Sequence, residues 1–303
     1  MQFQIKRDKL LKSLSIAHNI IERKNTIPIL ANVLLETKNK ILKIVATDLD
    51  MVFSDEISDL KIEQDGSTTI SATVLYDLLR KLPSNLDITF HLQSENKLKI
   101  SAKNSKFNLL CLPVDNFPNF TDDFKTESLK LERKKFLSLL NKTKISMSND
   151  ETRHYLNGIF IHVTASNKNS YLTGVATDTH RLSSSSMPIE NIENFKPFIL
   201  PQKTVFQLCN LLQETSEDVS LYVGDTKIQF KIGNSKIISK VIDGKFPDYD
   251  KVVPKNNKKI LNVDAKEFID SIERVITVSI DRKEGVKLTL DKDNIQLFVN
   301  SSS

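Results

Sequence analysis

Asp178, His180 and the serine run Ser183–Ser186 are the residues of this 303-residue chain that most invite a chemical reading. An acid, an imidazole and a hydroxyl are the parts of a Ser-His-Asp hydrolase. There the base must reach an activated serine, and an oxyanion hole must face the reacting carbon. The spacing argues against that use. Asp178 and His180 lie two residues apart, so on a strand they share a face, and no GxSxG elbow presents a nucleophile. His180 then reads as a structural or pocket-rim histidine. Asp48 and Asp50 could begin a metal site, but no third acid follows at a suitable spacing. Neither CxxC nor HExxH occurs, which argues against zinc. Cys111 and Cys209 sit among apolar residues and read as core thiols of a reducing compartment. The chain has only seven glycines. It has no GxxxxGK[ST], and no GxGxxG follows a strand, so nothing is built to cradle a nucleotide. No catalytic residue, metal or cofactor is expected.

The elements that would carry these residues repeat along the chain. Residues 1–35 read as an alternating strand (Phe3, Ile5) and a helix with the stripe Leu10, Leu14, Ala17 and Ile21. A loop with Pro28 follows, and then an apolar strand from Ile29 to Leu35. Residues 128–163 repeat this with Leu129 and Leu131, the stripe Phe136, Leu137 and Leu140, and the run Leu156–Ile161. Residues 260–290 open the same way again, with Phe268, Ile272 and Val275 as the stripe and Val286–Leu290 as the strand. Inside the first two repeats sits a second strand-into-helix unit, Thr69–Leu79 and Phe198–Leu208, each followed by alternating strands. Matched turns close the two repeats at Asp115–Phe120 and Asp243–Tyr249. Most strand links are too short for a crossover, so the class is α+β with mainly antiparallel sheet. The domains are expected at 1–125, 126–254 and 255–303. The third repeat reaches Ser303 after its first half, and the period leaves roughly 70 residues of it unmatched. A chain ending there is expected to dimerise poorly.

The net charge of +5 is modest, but its distribution is informative. Helical segments 7–23, 73–84, 132–147 and 201–213 together carry more than the whole of it, and the rest is slightly acidic. Segment 264–280 breaks the pattern, with more acids than bases. Lysines and arginines on helices whose other faces are apolar suit either an ordinary solvated surface or a footprint for phosphate contact without base reading. The N-terminus has no signal-like apolar region, and no apolar run reaches ~18 residues. The chain is therefore expected to be soluble and cytoplasmic, with no membrane partner.

Five stretches carry a resemblance: Thr26-Ile27-Pro28-Ile29-Leu30, Ala46-Thr47-Asp48-Leu49-Asp50-Met51, Tyr155-Leu156-Asn157-Gly158, Val175–Leu182 and Lys240–Tyr249. With the repeat, they make the chain resemble the bacterial sliding clamp, the beta subunit of DNA polymerase III, along its whole length. The resemblance implies a DNA-clamp fold of three tandem similar domains, with outer antiparallel sheets and inner helices, the third domain incomplete. It implies a non-catalytic ring, a head-to-tail homodimer around duplex DNA, set in place by an ATP-driven clamp loader. The ring tethers the DNA polymerase catalytic subunit for processive replication. Other polymerases and repair proteins dock on it through short peptide motifs. A ring that must hold DNA yet slide gains from sparse, salt-sensitive phosphate contacts and loses from base-specific ones.

Two sites carry over by position. The peptide pocket is expected at Leu156, Thr177, Thr179, His180, Arg181, Leu182, Pro247, Lys251 and Val252, an apolar slot with a polar rim. Thr179 stands where the family usually has glycine. Lys251 replaces the usual arginine and lacks its planar fork. The DNA surface is expected at Lys24, Arg80, Lys203 and the loop Ser148-Asn149-Asp150, with Lys134 and Lys142 added from helix position alone. Position 73 is threonine where a base is common. The alternative is a repeat-built enzyme or binding protein that uses Asp178–Arg181 on a small molecule. Turnover assays or salt-dependent retention on DNA separate the two.

Overall fold

The computed structural model describes residues 1–21, 27–120, 124, 127–166, 169–190, 192, 194–279 and 285–299. They fall into two compact units, Met1–Phe246 and Pro247–Ser303. The first unit holds two copies of one arrangement. The first copy runs β1 (Gln2–Lys6), α1 (Arg7–Ile20), β2 (Asn32–Lys38), β3 (Ile41–Thr47), β4 (Met51–Ile57), β5 (Lys61–Gln64), β6 (Gly66–Ser71), α2 (Ala72–Lys81), β7 (Asp87–Ser94), β8 (Lys97–Ala102) and β9 (Ser105–Leu112). The second runs β10 (Leu129–Leu131), α3 (Arg133–Thr143), β11 (Gly158–Ser166), β12 (Asn169–Thr177), β13 (Leu182–Ile189), β14 (Phe198–Pro201), α4 (Gln202–Gln213), β15 (Val219–Val223), β16 (Lys227–Ile232) and β17 (Ser235–Lys240). Among the described residues, only β5 has no counterpart in the second copy.

Each copy lays a helix pair over sheet. The buried face of α1 includes Leu10, Leu14, Ala17 and Ile20 at helical spacing, with Ser13 and Ile16 buried beside them, against a core that includes Phe3, Phe53 and Phe90. In α3 the buried apolar residues are Phe136, Leu139 and Leu140, with Thr143 buried beside them, so Leu139 replaces the expected Leu137, which is only partly covered. Both first helices begin with an arginine that ties them to the end of the second helix. Arg7 Nε donates to the Leu79 carbonyl at 2.8 Å, and Arg133 donates to the Leu212 carbonyl at 2.7 Å. These bonds reach carbonyls in the last helical turns, where i+4 partners run out; Leu79 also accepts from the Leu82 N–H. Ser71 caps α2 by accepting from the Val74 N–H.

Two expected strands start later than the sequence suggests. Pro28–Ala31 forms a 3-10 turn, and β2 begins at Asn32. Proline fixes φ and has no N–H for a ladder, so it opens a turn better than it extends a sheet. In the second copy the 3-10 segment Glu151–Leu156 precedes β11, which starts at Gly158. That glycine is needed, because a Cβ there would lie 2.3 Å from the Leu200 carbonyl oxygen of the paired strand.

All strand pairings are antiparallel. The order β5-β1-β7-β8-β9-β6-β2-β3-β4-β17-β16-β15-β10 is one continuous sheet, and β13-β12-β11-β14 is a second. The link between the copies is β4 against β17, registered from Ser235 opposite Asp55 to Ser239 opposite Met51. The copy of β17 in the first repeat is β9. It pairs with β8 along its length, but meets β6 only at Cys111 and Leu112. Its Ser105–Leu110 edge has no strand beside it among the described residues. The second unit contains α5 (Ala265–Ile276), capped by Asp264, and the hairpin of β18 (Lys287–Leu290) and β19 (Ile295–Phe298). The expected stripe of α5, Phe268, Ile272 and Val275, is only partly covered, and no helix residue is fully buried.

Candidate functional site

The expected DNA-facing residues lie on the helix pairs. Arg80 is exposed in the last turn of α2, Lys134 and Lys142 are exposed at the two ends of α3, and Lys203 sits in the first turn of α4. Asn149 follows α3 and accepts from the Gln202 side chain at 3.0 Å, which ties its loop to the start of α4. Lys24 lies outside the described residues. These cations are not alike. Lys203 pairs with Asp48, whose side chain is only 6% exposed. Neither Lys134, Lys142 nor Arg80 has a carboxylate partner among the described residues.

The expected peptide residues of the first unit gather around one turn. Asp178 Oδ1 accepts from the His180 and Arg181 N–H groups, both at 3.0 Å, and Oδ2 accepts from Arg181 Nε at 3.0 Å. Thr177 Oγ1 donates to the Arg181 carbonyl at 2.7 Å and accepts from the Thr179 N–H at 3.1 Å. Asp178 and His180 therefore occupy a turn, not a strand, and the acid is spent on holding that turn. No histidine-to-serine relay forms here. Partial burial raises the Asp178 pKa, but the bonds from Arg181 and from two backbone N–H groups outweigh it and hold the carboxyl below its usual range.

Thr179 has φ of 79°. That left-handed conformation suits glycine and crowds a β-branched side chain, which supplies the physical reason a glycine would be favoured here. Threonine offers something in exchange. Its Oγ1 accepts from Arg153 at 3.2 Å, and Arg153 also grips Asp150 at 2.8 Å. The 148–156 loop is thus stitched to the 177–182 turn. Asp150 accepts from the Thr152 hydroxyl and N–H and from Arg153, in that order of weight, and its pKa is lowered.

Leu156 is 1% exposed and forms the floor of this region rather than an open wall. Leu182 is half-buried, while His180 and Arg181 are exposed. Around the floor lie His154, whose ring nitrogen is 3.1 Å from the Asp243 carbonyl, and Tyr155, edge-on to His154. Arg153 and His154 are absent from the expected site, and Tyr155 enters it only as part of the resembling stretch Tyr155–Gly158. The signal for Arg153 was available in its place three residues before Leu156, within the same short segment. Its bond to Thr179 was not, because it spans 26 residues of chain.

Pro247, Lys251 and Val252 belong to the second unit, where all three are exposed. Lys251 pairs with Asp248 at 2.8 Å, which raises its pKa, and Tyr249–Lys251 forms a 3-10 turn. Burial pushes the Cys111 and Cys209 thiols up, so both stay protonated and unreactive near neutral pH. No group of three or more metal-ligating side chains occurs among the described residues, and no described helix is long and apolar enough to cross a membrane.

Three family models match the chain end to end. The N-terminal domain of the DNA polymerase III beta subunit covers residues 1–121, its central domain 130–248 and its C-terminal domain 250–303. The beta sliding clamp of Caulobacter vibrioides is 37% identical over 303 residues, spanning 99% of this chain and 81% of the relative. That of Rickettsia felis is 34% identical over 293 residues, 95% of this chain and 76% of the relative. A crystal structure of the Caulobacter crescentus beta sliding clamp superposes with a TM-score of 0.94 at 37% identity, covering 99% of this chain and 80% of that one. The Bartonella birtlesii sliding clamp, solved bound to griselimycin, gives 0.93 at 36% identity, with 98% and 80% covered.

Proposed function

The chain belongs to the DNA polymerase III beta subunit family, the bacterial sliding clamps, and from that premise we propose where its DNA and its partners sit. Members are non-catalytic processivity factors: rings on DNA that bind the polymerase and the clamp loader. The observation that carries the reading for this chain is the matching of all three domain models in order along it. The cytoplasm, where bacterial DNA lies, is its proposed location.

DNA is met by the helix pairs, through Arg80, Lys134, Lys142, Asn149 and Lys203, with Lys24 added on its position in the sequence. Exposed lysine and arginine without carboxylate partners suit sequence-independent phosphate contact, which loosens as salt rises. Lys203 contributes less than its position suggests, since Asp48 already holds it.

Partner peptides dock at the Thr177–Leu182 turn and on the Leu156 floor. A half-buried apolar base with an exposed histidine and arginine at its rim suits a short hydrophobic tail with a polar flank. Pro247, Lys251 and Val252 are proposed as further peptide contacts from their sequence positions. Lysine at 251 gives a single point charge where arginine would fork.

A second copy closes on the β9 edge. Its counterpart β17 already carries β4 along the equivalent residues. On β9 that edge has no strand beside it among the described residues, and Leu110 is 84% exposed there. An uncovered edge strand with exposed leucine is a site for strand pairing.

Incubation with clamp loader and ATP, followed by retention on nicked circular against linearised DNA, tests the whole. Retention on circles with run-off from linear ends is expected. Loss from both would overturn it.

A further inference from the structure

The first two domains carry an aromatic ring with a basic side chain on it at the same place in each helix pair, and we propose that these rings are seats that hold phosphate-contacting cations toward the DNA. Counting from the helix starts at Arg7 and Arg133, His18 and Lys144 occupy the same position. Counting from Ala72 and Gln202, so do Tyr76 and Phe206. In the first domain the His18 ring stacks on Tyr76 at 4.6 Å between centroids, with 17° between planes. Arg80 Cζ lies 5.8 Å from the centre of the same ring. In the second domain Lys144 Nζ lies 5.9 Å from the Phe206 ring centre.

The ring keeps its place in both domains while the cation comes from different positions: Lys144, the counterpart of His18, lies on Phe206, and Arg80 of α2 itself lies on Tyr76. Packing alone does not account for it. Phe206 is 43% exposed, which is unusual for so large an apolar side chain on a helix that buries its other face. A ring face carries negative potential and attracts a cation within about 6 Å. Arginine and lysine have many rotamers, and fixing them on a phosphate costs entropy. A ring that already holds the side chain lowers that cost. Neither Arg80 nor Lys144 has a carboxylate partner among the described residues, in contrast to Lys203 on Asp48 and Lys135 on Glu132. Their charge is therefore left for an outside anion. Tyr76, His18 and Phe206 act as positioning residues, and Arg80 and Lys144 as the contacts.

This inference rests on the reading that the helix pairs meet DNA. It is tested by fluorescence anisotropy of the full chain on a short labelled duplex at stepped salt, with Lys144→Gln, Phe206→Leu, Phe206→Tyr, Tyr76→Leu and Tyr76→Phe. The Lys144→Gln variant is expected to bind about fivefold more weakly near 0.1 M salt and to flatten the slope of log K against log salt by about 0.9, one phosphate's worth. Phe206→Leu and Tyr76→Leu are expected to weaken binding by about twofold to threefold, while Phe206→Tyr and Tyr76→Phe, which keep a ring in place, bind as the parent does. The inference is overturned if the leucine variants bind like the parent, or if the ring-preserving variants lose as much as the leucine ones. A parent chain with no salt-dependent binding would overturn the DNA-facing reading itself, and this inference with it, before any variant is compared.

Discussion

The turns at Thr47–Met51 and Thr177–Arg181 are the same piece of chemistry used twice. In each, a threonine hydroxyl donates to the carbonyl four residues on and accepts from the N–H two residues on. In each, an aspartate Oδ1 accepts from the two N–H groups that close the turn. In each, the residue after the aspartate is left-handed, with φ of 77° at Leu49 and 79° at Thr179. The difference lies in the second carboxylate oxygen. Asp48 gives it to Lys203 of the other domain, and Asp50 next to it takes Lys240 at 2.9 Å. Asp178 gives it to Arg181 within its own turn, and Arg181 stays 59% exposed. One copy is a rivet between domains and the other is a rim. Half of the aspartate shapes the turn, and the other half decides what the turn is for.

Removing the two acids separates these uses most sharply. Asp48→Ala strips two N–H groups of their acceptor and removes the largely buried carboxylate that Lys203 meets, which costs about 3 kcal/mol. Asp178→Ala loses the same two N–H bonds in a wetter place and costs about 1 kcal/mol. Thermal melting is expected to fall by roughly 8 °C in the first variant and about 3 °C in the second. Equal losses would show that the junction adds nothing to the turn.

Peptide affinity should divide the other way. Arg181→Ala is expected to weaken binding of a short hydrophobic partner peptide by about tenfold in calorimetry, with melting lowered by only about 1–2 °C, since its ion pair with Asp178 is exposed. Asp50→Ala, on the matching turn, should leave that affinity where it was. A loss in both would place the peptide somewhere other than the rim.

Acid offers a finer cut. The folded pKa of Asp178 is depressed, so its contribution is present above the unfolded value of ~3.9 and is lost as pH falls through the folded one. The melting difference between the parent and Asp178→Asn should hold flat from neutral pH to about 5 and close toward pH 3. A difference that instead closed as pH rose would mean that the Arg181 bond is not what stabilises the ionised acid.

The smallest effect concerns the left-handed residue. Leu49→Gly is expected to gain about 0.5–1 kcal/mol by relieving crowding, less glycine's own entropy. Thr179→Gly should gain less, because it also gives up the bond from Arg153. Guanidinium unfolding curves would rank them, and the reverse order would remove the Thr179–Arg153 stitch from the account.

Much of this was legible in the sequence because it is local or repeated. The apolar stripes of α1 and α3 follow helical spacing, and the strand-into-helix units at Thr69 and Phe198 are similar enough to align by eye. Pro28 was readable as a breaker, yet the apolar run after it hid the 3-10 turn, since Ile29 and Leu30 are buried either way. The Asp48–Lys203 pair joins residues 155 apart, and no spacing rule reaches so far. The left-handed backbone at Thr179 was masked by the residue itself, because threonine does not advertise positive φ as glycine would. Leu156 reads as part of an apolar slot because its type fits one. Only packing reveals that it is a floor.

The β4–β17 ladder makes the repeat a poor guide to where the molecule can be cut. A fragment ending near residue 125 would keep its own helix pair but bare the long edge of β4, and would be prone to sticking to its neighbours. The smallest compact piece that keeps this ladder paired runs from Met1 to Phe246. The same ladder has a mechanical reading. Its bonds lie side by side between the two domains, so a pull along the strands loads them together in shear instead of opening them one by one. Two sequence repeats then share a load as a single girder.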